Sequence, residues 1–196
     1  MDQVILPIPL FGSINYYGFI AHANKDILLA QNELVDRKNK RNRYYTCNKD
    51  GTILNTIPIT KPRDRQPLSE ISIVNQENWQ REQWRTLQSS YNKSPFFEYY
   101  DYKFEDLFNT TFNSLLEFNL QTVRIALKAL KINKEIQLID EVHTAINLPM
   151  ANSFMNYNQV FSHVNDFHEN LSILDLIFNL GPDSRSYLEA LTFGSL

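Results

Sequence analysis

The first 30 residues contain two short apolar runs separated by one helix-like segment. Val4–Leu6 is the first run, and Asp26–Ala30, which reads DILLA, is the second. Between them, Phe11–Ala23 carries apolar side chains at the spacing of one helix face, and Ser13 is placed to cap its first turn. Two strands that are joined by a helix run parallel in one sheet. We therefore predict a βαβ unit at the start of the chain.

A β-hairpin is predicted further along the same half. The β-prone runs Arg43–Thr46 and Thr52–Ile59 flank the tetrapeptide Asn48-Lys49-Asp50-Gly51. An Asp-Gly step between two such runs is a strong hairpin signal, because glycine tolerates the backbone angles of a tight turn.

The second half of the chain has a helical pattern. Helices are predicted over Asn78–Tyr91, over Phe104–Lys131 as one long helix or two with a break near Asn119, and over Leu171–Leu180. Glu135–Ile139 is predicted as a further strand. The fold class that follows is α+β, with a β-rich N-terminal half and a helical C-terminal half.

Length, charge and cysteine content exclude several classes of protein. The 196 residues favour a single domain over 1–196. A net charge of −3 argues against a general nucleic-acid binder, and one cysteine excludes an internal disulfide framework. No apolar stretch approaches the length that spans a bilayer. We therefore predict a cytoplasmic protein with no membrane span and no nucleic-acid partner.

Cofactor and metal motifs are not found in the sequence. It contains no Walker loop, no Gly-x-Gly-x-x-Gly and no Gly-x-Ser-x-Gly, and it has only five glycines. The four histidines are dispersed, and His163 and His168 lie five residues apart in a predicted loop. We expect no cofactor and no metal site, so that arginines would have to hold any phosphate.

The stretch Arg37–Tyr45, RKNKRNRYY, places five cations within seven positions. Arg41 and Arg43 are two residues apart, so in a strand both would point to one face and clamp one anion, with Tyr45 on the same face. The alternative is a solvated edge strand whose charges prevent aggregation. That alternative is favoured for the remaining three cations, Arg37, Lys38 and Lys40.

Three further residues are candidates for the site. Glu33 follows the run DILLA, at the strand end where ligands bind in open α/β sheets, and it is predicted to hold a sugar hydroxyl, act as a base or orient an arginine. Arg85 follows Trp84 and is predicted to face the cleft. Asp175 lies within an apolar helix, where a carboxylate requires a partner. The favoured interpretation is a buried ion pair with one of four arginines, namely Arg41, Arg43, Arg85 or Arg124.

Four stretches together resemble the WbqC-like family of bacterial proteins. They are Pro9–Tyr17 (PLFGSINYY), Arg41-Asn42-Arg43 with an acid ten residues before its end, Trp79–Tyr100 (WQREQWRTLQSSYNKSPFFEYY) and Asn170–Pro182 (NLSILDLIFNLGP). The resemblance implies a role in the biosynthesis of surface polysaccharides, notably O-antigen. This sequence also departs from the family pattern at three places. It has Leu6-Pro7-Ile8 in place of a His-Gln-Pro motif, Gln83 in place of a histidine and Tyr44 in place of a cysteine. A catalytic cysteine is therefore not expected.

Two kinds of function remain open at this point. The first is a transferase-like enzyme that binds a small anionic ligand or a nucleotide-linked sugar. In that case Glu33 and Tyr45 are the predicted catalytic residues, and the predicted substrate-binding residues are Arg41, Arg43, Arg85 and Asp175. The second is a non-catalytic binding or scaffold protein of the same pathway.

Overall fold

The computed structural model describes residues 5–23, 26–35, 41–63, 65–76, 78–142 and 146–194. Within these ranges the strands are β1 (Ile5–Leu6), β2 (Ile27–Ala30), β3 (Leu34–Val35), β4 (Arg43–Asn48), β5 (Gly51–Thr56), β6 (Gln66–Pro67) and β7 (Ile136–Ile139). The helices are α1 (Ile14–His22), α2 (Trp79–Tyr91), α3 (Phe97–Asn109), α4 (Leu115–Ala129), α5 (Ile173–Leu180) and α6 (Ser184–Ala190). The strands lie mainly in the first half and the helices mainly in the second, so the α+β prediction is confirmed.

The predicted βαβ unit forms. β2 is the central strand of a three-stranded sheet, and it pairs in parallel with β1 on one side and with β7 on the other. α1 connects β1 to β2, and the Ser13 hydroxyl caps it by accepting the N–H of Tyr16. The carboxyl ends of three strands from distant parts of the chain therefore meet at one edge of the sheet.

The predicted hairpin forms as well. β4 and β5 pair antiparallel from Arg43↔Thr56 to Asn48↔Gly51. The Asn48 side chain accepts the N–H of Asp50 at 2.8 Å, and Gly51 adopts a φ of 112°. That φ lies in the region that glycine enters without a steric penalty, which explains the glycine at this turn.

The predicted helix break near Asn119 is wrong. α3 ends at Asn109, and α4 begins at Leu115 and runs through Asn119 without interruption. The chain reverses between them because Ser114 starts a new helix, accepting the N–H of Glu117 with its hydroxyl. Asn119 is fully buried, and its polar side chain bonds other parts of the molecule instead of breaking its own helix.

α5 lies at the centre of the helical half. Every side chain from Ile173 to Asn179 is buried. The Phe178 ring contacts Tyr91 of α2 and Phe97 and Phe104 of α3, with centroid distances of 5.1, 4.9 and 5.4 Å. Aromatic pairs at such distances and tilted angles stabilise beyond the area they bury. This cluster attaches the three helices to one another.

None of the helices in the described ranges has the length and apolarity that crossing a bilayer requires.

Candidate functional site

A cavity of about 250 Å³ lies beyond the carboxyl edge of the parallel sheet. Part of its wall follows β1, part is the first turn of α1, and part follows β7. The lining residues are Pro7, Pro9, Ser13, Asn15, Tyr16, Arg41, Ile146, Asn147 and Leu148. In open α/β sheets this edge is where ligands bind, because loops from several strands converge there.

A buried ion pair between Glu33 and Arg41 forms one side of this region. Glu33, three residues after β2, has no exposed surface, and the Arg41 side chain is 16% exposed. Arg41 Nε donates to Glu33 Oε2 at 2.7 Å, and Nη2 donates to Oε1. The N–H of Ile146 also donates to Oε1 at 2.9 Å. Both carboxylate oxygens therefore accept hydrogen bonds, and the guanidinium is held in a two-point contact.

The backbone of Arg41 is itself fixed from another element. Arg41 has a φ of 54°, an unusual angle for a residue with a side chain. The Asn119 amide of α4 donates to the Arg41 carbonyl at 2.8 Å and to the Ile8 carbonyl at 3.0 Å. These two hydrogen bonds connect the backbone of Arg41 to the segment that follows β1.

The alternate-residue clamp does not form. β4 begins at Arg43, so Arg41 precedes the strand, and its positive φ turns its side chain toward Glu33. Arg43 and Tyr45 share the solvent face of β4, where Tyr45 is 50% exposed. Neither side chain lines the cavity. The other three cations of the basic stretch, Arg37, Lys38 and Lys40, lie outside the described residues.

One end of the Arg41 guanidinium remains available. Nε and Nη2 are engaged by Glu33, and Nη2 also lies 3.4 Å from the Ile146 carbonyl. Arg41 lines the cavity. Its Nη1 has no hydrogen-bond partner among the described residues. An arginine in this state has two N–H donors to offer a ligand.

The N-terminal end of a helix usually has free backbone N–H groups that can bind an anion, but the first N–H groups of α1 already have partners. Leu171 accepts the N–H of Ile14 at 2.9 Å, and Asn170 Oδ1 accepts the N–H of Asn15 at 2.8 Å. The N–H of Tyr16 is taken by Ser13. Because these amides are satisfied within the fold, they have no N–H to offer an anion.

Tyr16 is a cavity residue that sequence reasoning missed. Its hydroxyl donates to the Pro7 carbonyl at 2.9 Å, and the residue is buried. Burial raises the pKa of Tyr16 well above its ordinary value, so the phenol stays neutral at physiological pH. The only sequence signal was its place in the stretch Pro9–Tyr17, where helical periodicity also predicts a core position.

Arg85 and Asp175 are not brought to this cavity. Arg85 is exposed on α2 and does not line it. Asp175 is 1% exposed in the first turn of α5, and the predicted ion pair with an arginine is wrong. Its Oδ2 accepts hydrogen bonds from the Tyr157 hydroxyl and, at 2.9 Å, from the Gln159 amide. Burial raises the pKa of Asp175, and the hydrogen bonds that its carboxylate accepts offset this only in part.

The side chains in the described ranges are not suited to metal binding or to catalysis by a thiol. No group of three or more His, Cys, Asp or Glu side chains is placed there to hold a metal ion. Cys47 is buried in β4, and burial raises the pKa of its thiol. A raised pKa disfavours the thiolate, which is the reactive form of cysteine.

Comparison with known proteins gives one match. The model of the WbqC-like protein family matches residues 9–148, more than two thirds of the chain. The matched range includes Glu33, Arg41 and most of the cavity wall, and it ends before the stretch Asn170–Pro182 that also carried the resemblance. The chain matches no curated protein and no solved structure.

Proposed function

Because the chain belongs to the WbqC-like protein family, we propose that it acts in bacterial surface-polysaccharide biosynthesis and binds an anionic sugar in the cavity beside Arg41. The observation that carries this proposal is the arrangement of one guanidinium. Glu33 holds Arg41 by Nε and Nη2, while Nη1 is without a partner among the described residues and Arg41 lines the cavity. A pre-oriented arginine binds a phosphate or carboxylate with little loss of side-chain entropy.

The surroundings of Arg41 favour an anion. Glu33 balances one positive charge, and the N-terminal end of α1, which forms part of the cavity wall, adds a partial positive charge from the helix dipole. Asn147, exposed and without an intramolecular hydrogen bond in the described part of the chain, supplies an amide for a sugar hydroxyl.

The volume of the cavity limits the size of the ligand that it can hold. Pockets for drug-sized molecules measure about 300–1,000 Å³, and this cavity measures about 250 Å³. It accommodates one sugar ring with its charged substituent better than a complete nucleotide sugar. We therefore assign to it the sugar-phosphate end of an activated donor.

The proposed activity is transfer of that sugar unit to an acceptor hydroxyl: the bond from the anomeric carbon to the phosphate oxygen breaks, a bond to the acceptor oxygen forms, and the departing phosphate takes up the acceptor's proton. Negative charge develops on the leaving phosphate, and the fixed Arg41 guanidinium would stabilise it. Glu33 serves to orient Arg41 in this scheme, since both of its oxygens already accept hydrogen bonds. The alternative, a non-catalytic protein of the same pathway, is identified by binding without turnover.

The test is a thermal-shift and calorimetric screen of sugar 1-phosphates, uronic acids and nucleotide sugars. The best ligand is then measured against Arg41→Ala, Arg41→Lys and the matched control Arg43→Ala. We expect Arg41→Ala to abolish binding and Arg41→Lys to weaken it about tenfold or more, because lysine lacks the planar fork. Undiminished affinity in Arg41→Ala, or a loss in Arg43→Ala alone, would remove the proposed site.

A further inference from the structure

A second cavity, of about 340 Å³, lies in the irregular segment between β7 and α5. Its wall carries three asparagines, one serine and one aspartate, together with two aromatic rings. These residues are Asn156, Tyr157, Asn158, Ser162, Asn165, Asp166 and Phe167. All of them lie beyond the range that the family model matches.

The loop that forms this wall is closed by a buried glutamine. Gln159 Oε1 accepts the N–H of His168 at 3.0 Å, and Nε2 donates to the His168 carbonyl at 3.0 Å. The same Nε2 donates to Asp175 Oδ2 at 2.9 Å. One amide therefore joins the two ends of the loop and attaches both to α5.

Asp175 and Asn165 hold the loop at two further points. The Tyr157 hydroxyl donates to Asp175 Oδ2, so the phenol ring is fixed from its buried end. The Asn165 amide donates to the Asn48 carbonyl of the hairpin at 2.7 Å. A buried carboxylate is destabilising unless it accepts hydrogen bonds. The hydrogen bonds that Asp175 accepts also fix the residues of this wall in place.

The polar groups of the cavity are available to a ligand. Asn156, Asn158, Ser162 and Asp166 are exposed, and none of these four side chains makes a hydrogen bond to another described residue. An amide presents a donor and an acceptor side by side, which matches two neighbouring hydroxyls. A carboxylate accepts hydrogen bonds from hydroxyls and forms the stronger, charge-assisted kind.

The charge of the wall excludes other classes of ligand. The lining contains one carboxylate and no cation, so a phosphate or another anion would be repelled. The described residues also contain no cluster of side chains suited to a metal ion. The Tyr157 and Phe167 rings, with centroids 5.1 Å apart, add an apolar surface for the C–H face of a ligand.

We infer that the second cavity binds a neutral sugar unit, through hydroxyl contacts to Asn158 and Asp166 and ring contact with Phe167. The role of that sugar as the acceptor, or as the neighbouring unit of the growing glycan, rests on the proposed function. The binding itself does not, because it uses no residue of the Arg41 cavity. The protein would then hold an anionic sugar and a neutral sugar at separate places.

The test uses ligand-observed saturation-transfer NMR on the full chain with a panel of neutral methyl glycosides and oligosaccharides. The variants are Asn158→Ala and Asp166→Asn, both at exposed positions where folding is not at risk. The control is Asn92→Ala, an exposed asparagine that lines neither cavity. Arg41→Lys, which keeps a cation beside Glu33, is measured in parallel with both the neutral panel and the best anionic ligand.

The expected result is that each cavity variant weakens neutral-sugar binding about tenfold, as loss of one strong hydrogen bond predicts, while Asn92→Ala and Arg41→Lys do not. Absence of any transfer to the neutral panel overturns the inference, as does binding that Asn158→Ala and Asp166→Asn leave unchanged. Weaker anion binding in Arg41→Lys is a separate result and bears only on the proposed function. Neutral-sugar binding that persists when no anion binds would support this inference and count against the first cavity.

Discussion

Arg41 holds the buried carboxylate of Glu33 at both oxygens, with Nε 2.7 Å from Oε2 and Nη2 bonded to Oε1. The two residues come from different elements, one following β2 and the other preceding β4. Their contact therefore joins the parallel sheet to the hairpin. It also fixes the direction of the guanidinium that lines the cavity.

Arg41→Ala is expected to destabilise the fold by about 3–5 kcal/mol, because the buried Glu33 carboxylate would lose both hydrogen bonds that the guanidinium donates. The matched control is Arg43→Ala, two residues along on an exposed face, which should change the free energy of unfolding by less than about 0.5 kcal/mol. Urea unfolding measures both. Equal effects of the two substitutions would contradict a special role for the Glu33 pair.

Asn119→Ala tests the support behind Arg41. The substitution leaves the carbonyls of Ile8 and Arg41 without the amide that both accept. We expect a loss of about 2 kcal/mol in the free energy of unfolding, together with weaker anion binding, since the arginine turn loses its anchor. Asn109→Ala, at the exposed end of α3, is the control and should alter neither quantity.

Asp175→Asn is expected to change how stability depends on pH. Burial raises the pKa of Asp175 above its ordinary 3.8, so in the unfolded chain this group ionises at lower pH than in the fold. As pH rises from 3.8 to the folded pKa, the contribution of Asp175 to stability therefore falls, by at most about 1.4 kcal/mol per pH unit. Above the folded pKa it stays constant.

Asparagine carries no proton in this range, so the variant lacks this dependence. The free energy of unfolding of the unsubstituted protein minus that of Asp175→Asn should decrease as pH rises from about 4. Denaturant titrations at several pH values measure the difference, with the exposed Asp183→Asn as control. A difference that increases with pH would mean that the fold lowers the pKa of Asp175.

Gly181→Ala tests the end of α5. Gly181 has a φ of 52°, and an added Cβ would lie 2.5 Å from Cδ1 and Cγ of Phe96. Backbone strain and steric overlap together should reduce stability by about 2 kcal/mol. Gly194→Ala is the matched control, since its nearest heavy atom, Asn152 Oδ1, is 4.0 Å away. Thermal denaturation distinguishes the two, and a loss in both variants would point to a general effect of removing glycine.

The local parts of the fold were predictable from sequence because their signals are local. The βαβ unit follows from two apolar runs around a capped helix, and the hairpin from one Asp-Gly step. The break assigned to Asn119 was wrong for the opposite reason. A polar residue within an apolar pattern resembles a helix end, whereas its partners, Ile8 and Arg41, lie far away in the sequence.

The site was predictable only in part, because some of its contacts depend on residues and backbone angles that have no local sequence signal. Glu33 could be placed at a strand end, and orienting an arginine was one of its three predicted roles. The choice between Arg41 and Arg43 depended on a positive φ that no sequence pattern indicates. The partners of Asp175 were missed because Tyr157 and Gln159 lie in an irregular segment without a periodic signal.

The measurement that tests the central claim most directly is a crystal structure of the protein soaked with the best-binding sugar 1-phosphate. We predict that the phosphate lies within hydrogen-bond distance of Arg41 Nη1, with Glu33 still bonded to Nε and Nη2 and the sugar ring beside Asn147. A phosphate held instead by Arg43 or Arg85, with the cavity beside Arg41 empty, would contradict the account.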